Sequence, residues 1–338
     1  MSEQIKQPSP LLIFDIMTAY QRTGVLKAAI KLDIFSAIGK GNQTPQAVAH
    51  ACGVAERGAR TLCDYLVVLG FLTKEGGSYH LTQDSAVFLD KRSPAYMGGA
   101  IEFLVSPMLT EAFNDLAGAV TKGGTVLPDE GSTANEHPVW VKFARAMGPM
   151  TAVPAQAIVG LTGAEHASTL RVLDIAAGHG TFGIAFAQKN RNAQVTALDW
   201  PQVLEVAKDN ARAAGVIDRF RTIEGSAFEA DFGDGYDIVL LTNFLHHFDV
   251  PTCETLLRKV HAALADGGRA VTLEFVPNDD RVSPSNAAMF SAVMLATTPS
   301  GDAHTFVELR GMFENAGFVQ SEIHDLPGGI QQVVISKK

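Results

Sequence analysis

The segment "LLTNFLHHFD", residues 240–249, sets His246 and His247 side by side where an apolar run gives way to polar residues. Such a pair admits three roles: metal ligands, a general base with a neighbour, or ordinary loop residues. Metal ligation is the weakest of them. Adjacent side chains diverge in a strand or a helix, and no Cys/His ligand spacing accompanies the pair, so no metal is expected. A base needs something to act on, and a second group of residues bears on that. "VLDIAAGHGTFG" carries Gly178-x-Gly180-x-x-Gly183 directly after a strand-like run and at the start of a helix-like one. Asp199 closes the next strand-like run, about 20 residues further on. Formally this is the dinucleotide fingerprint, and an NAD-dependent oxidoreductase stands open on the pattern alone.

Asp174 argues against NAD. It lies in the strand four residues before Gly178, aimed at the region a pyrophosphate would occupy. A carboxylate there repels phosphate and attracts an ammonium group. S-adenosylmethionine meets these demands, with a ribose for Asp199, an amino-acid end for the glycine turn and no phosphate.

These residues need a scaffold, and the alternation from Leu170 onward supplies one. Strand-like "RVLDIA", "QVTALDW", "FRTIEG", "YDIVLLTNFL" and "GRAVTLEFV" are interleaved with helix-like "GTFGIAFAQKN", "PQVLEVAKDNARAAG", "CETLLRKVHAAL" and "TFVELRGMFENAG". "FVQSEIHDL" and "IQQVVISK" close the chain as a hairpin. The pattern calls for an α/β, Rossmann-like doubly wound parallel sheet with ligands at the strand C-termini. Before it, residues 93–165 read as helices broken by Gly and Pro, with "TKGGTVLPDEGSTANEH" as a mobile loop. Earlier still, residues 1–92 run helix, helix, helix, hairpin, the order of a winged helix. Thr44 can cap a helix that begins at Pro45, and a Gly-Gly turn sits inside "TKEGGSYHLTQ".

A winged helix suggests DNA. The would-be recognition helix carries Glu56, Arg57, Arg60 and Asp64, which leaves no net positive charge, and its remainder is apolar. The whole chain of 338 residues has a net charge of −9, against the footprint of a nucleic-acid binder. Dimerisation suits this region better, although a ligand-binding winged-helix regulator stays open. Three cysteines without paired spacing suggest a reducing compartment. "MSEQIKQPSP" lacks the pattern of a secretory leader, and no apolar stretch is long enough to span a bilayer. A cytoplasmic protein is expected.

The chain resembles the dimeric small-molecule O-methyltransferases that use S-adenosylmethionine. That family includes plant caffeate-type and acetylserotonin enzymes and bacterial natural-product enzymes. The resemblance rests on "VLDIAAGHG", "ALDWPQVLEVA", "LHHFDVPTC", "ALADGGRAVTLEF" and "VMLATTPSGDAHT" and spans nearly the whole chain. It implies a class I methyltransferase domain at residues 166–338, a winged-helix dimerisation domain at 1–92, pocket helices between, and a homodimer. It implies Asp174, Gly178 and Gly180 at the methionine end of the cofactor, Asp199 at the ribose, and Trp200 over the adenine. "EGSAF" falls where the family has Gly-Asp-Met-Phe. Ser226 thus replaces an aspartate, while Ala227 and Phe228 wall the base. Thr242 and Asn243 fall at further cofactor contacts.

His246 matches the family's catalytic histidine and Glu274 the glutamate that orients it. The chemistry asks for such a base. The methyl of a sulfonium is already activated, whereas a phenol with a pKa near 10 must lose its proton, and an imidazole near 6.5 is suited to take it. Two departures stand out. His247 replaces the usual aspartate and is expected at the pocket rim or in solvent. Ala303 replaces a second glutamate, with His304 beside it. Phe143 with Met147, and Phe290 with Met294, are each four apart on one helical face and are candidates for an apolar acceptor pocket suited to a flat aromatic compound. The expected reaction is methylation of a hydroxyl on a small aromatic acceptor, with N- or C-methylation as the alternative.

Overall fold

The computed structural model describes residues 8–326 and 329–338. Residues 1–7, most of the stretch "MSEQIKQPSP", lie outside the described residues. Two compact units divide the chain, one up to Ile101 and one from Glu102 on.

In the first unit, helices Leu11–Met17, Ala19–Lys31, Ile34–Gly39, Pro45–Cys52 and Glu56–Val68 precede a two-stranded hairpin of β1 (Leu72–Glu75) and β2 (Ser78–Leu81). Helices precede the hairpin as expected, but the first expected helix is divided into three, Leu11–Met17, Ala19–Lys31 and Ile34–Gly39. Thr44 Oγ1 accepts the Ala47 N–H at 3.2 Å, with Pro45 at the first helical position where a missing donor costs nothing. Gly76 and Gly77 turn the hairpin at φ of 53° and 86°, a left-handed pair only glycine adopts freely. Ile34, Phe35, Leu66, Leu72 and Tyr79 fill its core.

The second unit is built on a seven-stranded sheet. Its strands are β3 (Leu170–Ile175), β4 (Ala193–Asp199), β5 (Phe220–Glu224), β6 (Tyr236–Thr242), β7 (Leu264–Glu274), β8 (Gln320–Asp325) and β9 (Gln332–Lys337). Their spatial order is β5-β4-β3-β6-β7-β9-β8, parallel except where β9 pairs with β7 and with β8. The central strands β3 and β6 are largely apolar because both faces are covered. One cluster joins Val172, Val195, Ile238 and Val271 to Phe182 and Phe186, and another joins Leu173, Leu198, Val239 and Leu241 to Leu257 and Phe313. The direction of winding reverses between β3 and β6, so the loops leaving their C-terminal ends diverge and open a crevice.

Two differences from the sequence reading concern the region before the sheet. Residues Val139–Thr162 form one continuous 24-residue helix with Pro149 and Pro154 inside it, where a broken segment is expected. Burial along its length, at Ala144, Ala146, Ala155, Ile158 and Val159, holds it helical despite two lost backbone donors. The polar stretch before it is anchored as well. The Thr125 N–H donates to Thr298 O at 2.8 Å, its hydroxyl to Ala296 O at 2.7 Å, and the Ser132 hydroxyl to Thr297 O at 3.1 Å. Among the described residues no helix is long and apolar enough to cross a membrane.

Candidate active site

The glycine turn follows β3 directly. Gly178 and Gly180 have φ of 57° and 73°, and a Cβ at Gly180 would lie 3.1 Å from the Ala207 Cβ. Both positions therefore need glycine. Gly183 serves packing, since a Cβ there would come 2.7 Å from Val195. Asp199 ends β4 and accepts the Gly178 N–H at 2.8 Å with one oxygen and the Trp200 N–H at 2.7 Å with the other. Burial pushes its carboxyl up to about 6. Asp174 is fully buried beneath the turn. One oxygen accepts the Gly183 N–H at 3.0 Å and the other has no partner. Its pKa is pushed up to about 7, first by burial and further by Asp199. A buried carboxylate oxygen without a donor is costly, and an ammonium group or hydroxyls reaching this crevice would relieve both acids.

The next strand end carries the turn Ser226–Ala230. Ser226 Oγ accepts the Phe228 N–H at 3.2 Å, Ala227 is buried, and Phe228 packs edge-on against Phe248 at 5.0 Å. Trp200 packs against the cluster of Ala144, Val203 and Val206, as does Trp140. Thr242 is the buried last residue of β6. Asn243 has a left-handed φ of 56°, donates its N–H to Leu273 O at 2.8 Å, and receives the Gln331 amide on its side-chain oxygen.

His246 lies three residues beyond Asn243, in a single 3-10 turn, Leu245–His247. Its Nδ1 pairs with Glu274 Oε2 from the end of the neighbouring strand β7. Glu274 Oε1 accepts the N–H groups of Phe244 and Leu245 at 3.0 and 2.9 Å, so the carboxylate fixes both the loop and the ring. With Nδ1–H donating to the carboxylate, Nε2 carries the lone pair. His247 departs from its expected place at the rim. It is buried, its Nδ1 has no partner, and burial and the adjacent His246 lower its pKa well below the ordinary value. His304 bonds the Phe248 carbonyl at 3.1 Å rather than His246, and Ala303 beside it is buried. Among the described residues no cluster of three His, Cys, Asp or Glu is arranged to hold a metal.

The four pocket candidates divide between two places. Phe290 meets His246 edge-on at 4.8 Å and stacks on Phe275 at 4.0 Å, while Met294 is buried one turn on. Phe143 instead covers the glycine turn, where a Cβ on Gly178 would be 3.4 Å from its ring, and Met147 is half-buried beyond it. Trp140 connects the two, 5.8 Å from Phe143 and 5.2 Å from His247, whose ring is 4.4 Å from His246. The result is a continuous wall of rings from the glycine turn to the imidazole. Sequence reasoning missed Trp140, Phe275 and His179. Each had a signal: Trp140 is one helical turn before Phe143, Phe275 follows Glu274, and His179 sits inside the glycine turn. His179 Nδ1 accepts the Thr181 N–H at 3.1 Å, its Nε2–H meets Thr151 Oγ at 3.3 Å, and its ring stacks on Phe143 at 5.9 Å. Burial lowers its pKa to about 4, so it stays neutral.

Comparison with known proteins shows the family. Residues 128–319 match the model of the O-methyltransferase domain, and residues 14–91 that of the O-methyltransferase dimerisation domain. A solved protein of Nostoc punctiforme, assigned to the O-methyltransferases, is 56% identical, with a TM-score of 0.95 over 98% of this chain and 100% of its own. The 3-hydroxy-5-methyl-1-naphthoate 3-O-methyltransferase of Streptomyces sahachiroi is 27% identical over 91% of this chain and 89% of its own. Human N-acetylserotonin methyltransferase, solved in complex with SAM, shares the fold with a TM-score of 0.85 at 20% identity, over 100% of this chain and 99% of its own. The chain belongs to the O-methyltransferase family.

Proposed function

We propose that this protein transfers the methyl group of S-adenosylmethionine to a hydroxyl of a small aromatic acceptor, with His246 Nε2 removing the hydroxyl proton. The observation that carries this reading is the buried His246–Glu274 pair, set at the ends of β6 and β7 next to the sheet's switch point and beside a wall of rings. The cofactor supplies an electrophilic methyl group when bound. Its fit is supported by the partnerless oxygen of Asp174, which suits the ammonium of its amino-acid end, and by Asp199, which suits its ribose.

The remaining work belongs to this chain's side chains. Glu274 holds the imidazole in the tautomer whose Nε2 can accept a proton, and its charge offsets the imidazolium that results. Phe275 and Phe290 orient a flat acceptor beside the ring and keep water from it. Phe275, Phe290 and His246 would hold the acceptor hydroxyl in one orientation, and that positioning would supply much of the acceleration.

Calorimetric titration tests the cofactor half of this reading. S-adenosylhomocysteine should bind in the micromolar range and NAD should not. Asp199→Ala should weaken the first by at least about tenfold, since hydrogen bonds to a charged acceptor are worth roughly 1.5–3 kcal/mol each. Binding of NAD with comparable affinity would overturn it.

A further inference from the structure

The cofactor crevice runs along successive strand ends: the glycine turn after β3, Asp199 at the end of β4, and the turn Ser226–Ala230 after β5. If the amino-acid end lies at the first and the ribose at the second, the base lies at the third. That third turn carries Ser226 where the resembling family has an aspartate, and its own order has one conspicuous source. Lys259, from the helix Val250–Ala263 packed on the sheet, donates from Nζ to the carbonyls of Ala227 at 3.1 Å, Phe228 at 3.2 Å and Ala230 at 2.5 Å. Glu229 N and Ala230 N both bond Ser226 O, so the segment is one helical turn, and the ammonium caps its free carbonyl end.

The face of Phe232 lies 4.2 Å from the same ammonium. Three oxygens and a ring replace the water that a surface lysine would keep, and burial lowers its pKa accordingly. Asp231 and Glu229 act on it through space, yet among the described residues this ammonium's hydrogen bonds go to the backbone of the turn.

We propose that Lys259 is a positioning residue for the adenine end of the cofactor, acting through the Ser226–Ala230 turn it clamps. The proposal rests on the S-adenosylmethionine reading above. Without the ammonium three carbonyls lose their shared donor, the turn loosens, and the wall formed by Ala227 and Phe228 must be ordered by the ligand itself, which lowers affinity. The loss belongs to the nucleoside and is indifferent to the amino-acid end.

The test is calorimetric titration of wild type, Lys259→Met and Lys259→Arg with two probes. S-adenosylhomocysteine carries both ends, and 5′-methylthioadenosine carries only the nucleoside. Lys259→Met should weaken both by the same factor, roughly tenfold. Lys259→Arg should recover most of it, and the melting temperature without ligand should move by no more than a few degrees. Should Lys259→Met fail to fold, Lys259→Gln, which keeps one donor group, should show an intermediate loss. Unchanged affinity in the variants would overturn the proposal, and so would a loss confined to S-adenosylhomocysteine. Wild type binding neither probe would instead refute the cofactor reading, and this proposal with it.

Discussion

Asp174 and Asp199 are held above the ordinary carboxylate range, at about 7 and about 6, because the crevice strips them of water without giving them a cation. A folded-state pKa raised above the unfolded value of about 4 stabilises the unliganded protein at low pH. That stability is lost as the pH rises through 6 to 7. Ammonium and hydroxyl donors favour the ionised form, so ligand binding should expel protons in this window. Titration of S-adenosylhomocysteine at pH 6 in two buffers of different ionisation heat should therefore give different apparent enthalpies, with affinity rising from pH 5 to 7.5. Buffer-independent enthalpy and flat affinity would show that neither acid faces the ligand. At this scale the sequence made placement most legible at strand ends, where Asp199 and His246 lie as expected. It was least legible at His247, whose burial follows from Trp140, about a hundred positions away in the chain.

The alternation of apolar runs made the sheet and its helices readable, because a strand covered on both faces has few other ways to be written. The long helix and the segment before it were not readable, since Pro149, Pro154 and a run of Gly, Thr and Ser carry local signals of breakage and mobility. Long-range packing overrides those signals. Gly124 and Gly131 show how: a Cβ on either would collide with backbone oxygen, Pro299 O and Thr297 O respectively. Those oxygens belong to the end of the helix Ser285–Thr297, which carries Phe290, and to the residues just after it. Gly124→Ala should cost about 1–3 kcal/mol through overpacking, read as a lower urea midpoint at unchanged slope. A variant as stable as wild type would mean that the segment yields freely and does not brace the helix.

At the scale of the whole molecule, the helix Leu11–Met17 exposes nearly all of its apolar side chains, with Leu11 at 74%, Phe14 at 60% and nearby Tyr20 at 72%. A contiguous apolar surface of this kind calls for a cover. From Phe14 on it lies in the segment that matches the dimerisation domain, which makes a second copy the expected cover. Light scattering should give about twice 36.0 kDa, and Phe14→Glu should shift the protein towards half that mass. A wild-type monomer at micromolar concentration would contradict the assignment. Catalysis by the assembled enzyme is tested most directly by following labelled methyl transfer from S-adenosylmethionine to a panel of phenols, comparing wild type with His246→Gln. The expected result is a loss of about 10²–10⁴-fold in turnover at neutral pH, partly regained at high pH where the phenol ionises unaided, with S-adenosylhomocysteine affinity unchanged. Wild-type turnover by His246→Gln at neutral pH would contradict the role of His246 as the base.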